Sequence, residues 1–117
     1  MQHLQYVGWP DFGAPKTTDS IIALIKTVRN LVAAETATMP VFGQHVKILV
    51  HCSAGVGRSG TFIALYQLME LLDEKVTQYK TGKFNKGDKE NEIGEMTMDV
   101  FNTVFKLRKQ RCEMVSI

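Results

Sequence analysis

In Val50-His51-Cys52-Ser53-Ala54-Gly55-Val56-Gly57-Arg58-Ser59-Gly60-Thr61, a run of small residues separates two segments of opposite periodicity. To the left, Lys47-Ile48-Leu49-Val50 is a short apolar run with two β-branched residues, which reads as a buried strand. To the right, Phe62, Leu65, Leu68, Met69 and Leu72 recur at helical spacing, so a helix begins close to Arg58 and runs to Asp73 or Lys75. The glycines of the intervening loop permit backbone conformations closed to other residues. A strand, a glycine loop and a helix N-terminus together make an anion site, because successive N–H groups turn inward and the helix dipole adds positive charge.

The two ends of the loop carry chemistry. Cys52 opens it and Arg58 closes it, with five residues between. The pattern of a nucleotide-binding loop, G-x-x-x-x-G-K-[ST], is absent, and no lysine lies between Lys47 and Lys75. Arg58 has a planar fork that grips two phosphate oxygens at once. Ser53, Ala54, Gly55, Val56 and Gly57 supply the cradle, and Cys52 sits at its floor, facing phosphorus. The N–H groups that hold a phosphate dianion also stabilise a thiolate; a free cysteine has a pKa of about 8.5, and helix N-termini with nearby cations bring it to roughly 3.5–7.5. A lone cysteine after an apolar strand is ordinarily a small buried hydrophobe, and a lone arginine after glycines is ordinarily solvated. The combined strand, Cys-loop-Arg and helix outweigh that reading. Ser59 is a first-turn hydroxyl that can bond to backbone, and His51 can act as a base.

His51-Cys52-Ser53-Ala54-Gly55-Val56-Gly57-Arg58-Ser59-Gly60 resembles the signature loop of the tyrosine-specific protein phosphatases at every position. Trp9-Pro10-Asp11-Phe12-Gly13 resembles the mobile acid loop of the same family, in the family's order. On residues alone, that earlier stretch is a surface turn with Trp9 and Phe12 tucked onto the core. Beside a Cys-loop-Arg cradle its carboxylate acquires a task, since a tyrosyl oxygen leaves poorly unless protonated. The resemblance implies that Cys52 is the nucleophile, Arg58 the oxyanion holder and Asp11 the general acid, with Trp9 as the loop's hinge. It makes Ser59 a hydrogen-bond donor that helps the thiolate depart, and His51 a structural hydrogen-bonder that tunes Cys52. It implies neither metal nor cofactor. Tyr66 departs from the family, which commonly carries Asp there. Sulfur-transferring, rhodanese-like proteins also use a Cys loop, but the loop spacing and Trp9-Pro10-Asp11 argue against them.

The rest of the chain reads as scaffold. At 117 residues, 44% hydrophobic and 22% charged, it is one globular domain at most. A net charge of +2 with no basic stripe gives no support for nucleic acid. Cys52 and Cys112 suggest no disulfide framework, and a reactive thiolate fits a reducing compartment, cytoplasmic or at the cytoplasmic face of a membrane. No signal peptide or membrane segment is expected. Residues 3 to 8 read as a second strand. From Thr18, Ile21, Ile22, Leu24, Ile25, Val28, Leu31 and Val32 form a helical stripe, capped by Asp19 or Ser20 and ended by the Thr-Met-Pro after Ala37. Val41 to Val46 is a loop, and residues 77 to 95 a solvated one. Thr97 caps a final helix with Asp99 in its first turn, basic residues in its last, and Met98, Phe101, Val104, Phe105 and Leu107 as a core face.

These readings give an α/β fold. The resemblance implies that residues 1–117 are part of a protein-tyrosine phosphatase catalytic domain, with a central strand, phosphate loop and helix, flanking helices, and the N-terminal part of the sheet missing. In the resembling family the final basic helix leads through Met-Val into a glutamine-bearing loop; here Ser116 and Ile117 stand at its start. The expected substrate is a phosphotyrosine-containing protein or peptide. The alternative is a truncated, weak or inactive fragment that at most binds phosphate or phosphotyrosine.

Overall fold

The computed structural model describes residues 1–39, 41, 43–82 and 99–116. Three helices organise them: α1 (Thr18–Ala37), α2 (Arg58–Lys80) and α3 (Val100–Gln110). The central helix, α2, buries two faces. On one, Phe62 joins Trp9, Ile21 and Ile25 in a cluster that ties α2 to α1 and the acid loop. On the other, Ala64 meets Leu107 of α3 and Met114 of the turn beyond it. Arg29 of α1 pairs with Asp73 of α2, an exposed ion pair worth little. Tyr66 packs at the first cluster, its ring tilted against Phe62 at 6.2 Å, so its departure from the family pattern is absorbed in packing.

The helix ends refine the sequence reading. For α1 the N-cap is Thr17 rather than Asp19 or Ser20; the Ser20 hydroxyl instead donates to the Thr17 carbonyl at 2.9 Å, and its oxygen lies 2.5 Å from the Tyr6 hydroxyl. Its C-terminus at Ala37 agrees with expectation. Helix α2 runs past Lys75 to Lys80, so the expected loop starts late: no glycine or proline interrupts Val76 to Thr81, and the breaker is Gly82 at φ +66°. Helix α3 is capped by Asp99, whose carboxylate accepts the Asn102 N–H at 2.9 Å. The expected cap Thr97, its neighbour Met98, most of the polar loop, part of the Val41–Val46 loop and Ile117 lie outside the described residues.

Two expectations are corrected. No strand forms among the described residues, although residues 3 to 8 and 47 to 50 were expected as strands. A strand exists only through its ladder partners, and neither segment has one. Leu4, Val7, Ile48 and Leu49 are accordingly exposed, Leu49 at 90%. On α3, Phe101 and Phe105 face solvent at 77% and 47% exposure, stacked on each other with the Lys109 ammonium over the Phe105 ring. Among the described residues of the expected face, only Leu107 is buried. Helical periodicity identified an apolar face but could not supply its cover.

Candidate active site

A cavity of about 230 Å³ is lined by Trp9, Asp11, Cys52, Ser53, Arg58 and Ser116, among others, and so gathers both motifs. Its floor follows from the start of α2. The first N–H groups of any helix have no intrahelical partner. Here the N-cap is Gly57, which has no side chain to satisfy them, and no acidic residue follows in the first turn. The free donors are left for an anion.

The anion within reach is the Cys52 sulfur. The Gly55 N–H donates to Cys52 Sγ at 3.2 Å. Burial pushes the thiol up, but the Ser59 hydroxyl and the amides of Ser59, Gly55 and Val56 outweigh it and lower the pKa to about 7. Ser59 is buried, and its hydroxyl has no partner with full hydrogen-bond geometry among the described residues; its dipole near the sulfur still favours the anion. Gly55 has φ +75°, a conformation that requires glycine and turns its N–H inward. Gly57 is required for a different reason: a Cβ there would lie 2.7 Å from the Ser116 carbonyl oxygen.

Arg58 closes the pocket opposite Cys52. One terminal nitrogen donates to the Trp9 carbonyl at 3.0 Å. The other donates to Ser53 Oγ at 2.6 Å and pairs with the Asp11 carboxylate at 2.9 Å. Ser53 also donates to the second Asp11 oxygen at 2.6 Å. A carboxylate from the acid loop therefore takes the fork expected to grip phosphate. Asp11 and Cys52 lie 41 positions apart in sequence, yet they line one pocket.

The loop of residues 9–13 is pinned at Trp9, Asp11 and Gly13, while Phe12 faces solvent. Trp9 is buried, and its indole N–H donates to the Gly13 carbonyl at 2.9 Å, bridging the loop's base. Phe12 was expected to tuck in beside it, but is 93% exposed with φ +55°, a strained value for an aromatic residue. His51 is exposed, and its imidazole has no hydrogen-bond partner among the described residues.

The back of the loop is braced by residues that the sequence did not single out. Val115 N–H donates to the Val56 carbonyl at 2.9 Å, and the Arg108 Nε–H to the Met114 carbonyl at 2.9 Å. Arg111 donates to the Ala54 carbonyl at 3.0 Å, across 57 positions. Glu113 and Val115 both adopt left-handed backbone, φ +62° and +64°, a genuine strain for β-branched valine. The turn after α3 is held in that shape by its seat against the loop. No local pattern signals these contacts, since they exist only once α3 packs on α2.

The family profile for protein-tyrosine phosphatase matches residues 1–117. Receptor-type tyrosine-protein phosphatase V of Rattus norvegicus is 36% identical over 115 residues, covering 98% of this chain and 5% of that protein. Tyrosine-protein phosphatase 3 of Schizosaccharomyces pombe is 40% identical over 79 residues, covering 67% of this chain and 23% of that protein. Tyrosine-protein phosphatase non-receptor type 9 of Homo sapiens is 33% identical over 113 residues, covering 93% and 16% respectively. The chain thus spans less than a quarter of each of these relatives. No solved structure matches it. No helix among the described residues is long and apolar enough to cross a membrane.

Proposed function

This chain belongs to the protein-tyrosine phosphatase family, and from that premise we propose that its pocket hydrolyses phosphotyrosine in proteins or peptides through a cysteinyl-phosphate intermediate. The observation that carries the reading is the single cavity bringing together Cys52, with an amide on its sulfur, Arg58 and Asp11.

The chemistry follows in two displacements. The Cys52 thiolate attacks phosphorus; an S–P bond forms as the P–O bond to the tyrosyl group breaks. The loop amides of Ser53 to Gly57 and the Arg58 fork hold the equatorial oxygens, where charge is concentrated. Phosphate oxygens replace the Asp11 carboxylate on Arg58; the released carboxylate takes up a proton from solvent and delivers it to the departing tyrosyl oxygen. In the second step water attacks the same phosphorus, Asp11 accepts a water proton, and the S–P bond electrons return to Cys52. The Ser59 hydroxyl donates toward that sulfur and eases its departure. Trp9, anchored by its own hydrogen bond, sets where the acid loop pivots. No step in this sequence calls on a metal or cofactor.

A second reading, an oxyanion-binding cradle with little turnover, is favoured by the exposure of Phe12 on the cavity wall. Steady-state hydrolysis of an aryl phosphate separates the two. Turnover in the chain, abolished in Cys52→Ser, is expected for the enzyme; phosphate binding without turnover identifies the cradle. Full activity in Cys52→Ser would sink the mechanism.

A further inference from the structure

The Ala54 carbonyl and the Gly55 N–H are the two ends of one peptide group. Its N–H points at Cys52 Sγ, 3.2 Å away, while its oxygen accepts from the Arg111 guanidinium at 3.0 Å. The guanidinium also lies flat against Gly55, with both terminal nitrogens 3.4 Å from where a Cβ would stand. Gly55 has φ +75°, and glycine is the residue whose flanking peptides rotate most freely. Left to itself, this peptide could rotate and point its oxygen at the sulfur, replacing a donor by a repulsive dipole.

We propose that Arg111 is a positioning residue: by gripping the Ala54 carbonyl from behind, it keeps the Ala54–Gly55 peptide turned with its N–H into the anion site and polarises that donor. Hydrogen bonds in series strengthen one another, and a charged donor on the carbonyl oxygen strengthens the N–H opposite. The inference rests on the reading of Cys52 as the nucleophile.

The geometry that delivers Arg111 is independent of the pocket. Arg111 is the C-cap of α3, with extended backbone and its own N–H on the Leu107 carbonyl at 3.0 Å. Leu107 is buried against α2, so the packing of α3 fixes the root of the arginine. Val115 then secures the next stretch of loop through the Val56 carbonyl. Arg111 reaches the outer face of the loop and not the cavity, whose lining does not include it. The charged groups on the inner side are Arg58 and Asp11, and these are untouched by a change at Arg111. Lysine would keep a charged donor for the carbonyl; methionine and glutamine would not.

The test uses the whole chain with Arg111→Met, Arg111→Gln and Arg111→Lys. Two quantities are read: the pH midpoint of Cys52 alkylation, and the affinity for inorganic phosphate. Helical circular dichroism is recorded alongside. Losing one hydrogen bond to the anion raises the midpoint by about half to one unit in the Met and Gln variants and weakens phosphate by ~3–10-fold. Arg111→Lys restores most of both. Wild-type midpoints and phosphate affinities in a helical Met or Gln variant overturn the proposal. So does loss of helical signal in both, since Arg111 would then be holding the fold and not the peptide. A wild-type chain whose Cys52 titrates near 8.5, the free-thiol value, overturns the proposed function itself, and is thereby distinguished from failure of the Arg111 inference.

Discussion

Cys52 draws on the loop amides, whereas Asp11 draws on Arg58. The sulfur needs the loop amides turned inward, and the Asp11 carboxylate occupies the guanidinium until phosphate oxygens replace it. Replacing Asp11 with Asn removes the proton donor, so turnover of phenyl phosphate is expected to fall by ~10²–10⁴. An aryl phosphate with a far more acidic leaving group is expected to lose much less, because it departs without protonation. Equal losses on both substrates would contradict the acid role. The sulfur gives a pH prediction of its own. Its pKa is lowered to about 7, so the alkylation rate of Cys52 rises with pH through that midpoint. By the same sign, ionised Cys52 favours the folded chain above the ordinary thiol pKa, a contribution lost as pH falls through about 7. Peroxide is expected to oxidise Cys52 first, reversibly to the sulfenic acid, as peptide mass spectrometry with and without reductant will reveal. Cys112 oxidised ahead of Cys52 would argue against the thiolate.

Helix α2 is where the phosphate loop, the acid loop and α3 are made to agree. Its first turn runs against the C-terminal turn so closely that a Cβ on Gly60 would stand 2.4 Å from Val115 N. That atom is backbone and cannot swing aside, and its hydrogen bond holds the Val56 carbonyl. Gly60→Ala is therefore expected to destabilise the chain by about 1–3 kcal/mol, measured by denaturant unfolding. An unchanged midpoint would show that the turn is not seated as described. The small residue was legible in the sequence, but its reason was not: Gly60 reads as part of a loop motif, and only packing shows that it makes room for Val115. Helix existence was legible throughout, because apolar spacing at Ile21, Ile25, Phe62 and Leu68 is a local property that tertiary structure then uses. Helix ends were less so. Lys75 and Lys80 both end plausible helices, and the choice falls to Gly82. The strands at 3 to 8 and 47 to 50 were read from local apolar patterning, whereas a ladder depends on a neighbouring strand that local patterning does not reveal. The candidate site was the most legible part, since Cys52, Arg58 and Asp11 each carry their chemistry in their side chains. Arg111 and Val115 were illegible, because their task is to touch backbone 57 and 59 positions away.

Across the described residues, apolar side chains divide between two small clusters on α2 and a set facing water: Val7, Phe12, Leu49 and Phe101 are each more than three-quarters exposed. So much open apolar surface stabilises nothing and invites association. Residues 1–117 alone are expected to melt broadly, with poor amide dispersion and turnover below the ordinary enzyme range of about 1–10³ s⁻¹. A sharp cooperative melt with turnover in that range would contradict this view of the apolar faces. The chemistry itself is tested without steady-state turnover, since one covalent event per molecule suffices. The chain is mixed with an aryl phosphate, quenched in acid within milliseconds and digested, and its peptides are weighed by mass spectrometry. The account predicts a phosphoryl group on the Cys52 peptide, absent from Cys52→Ser and never on Cys112. Its absence from Cys52, with the aryl alcohol released or not, would contradict the account.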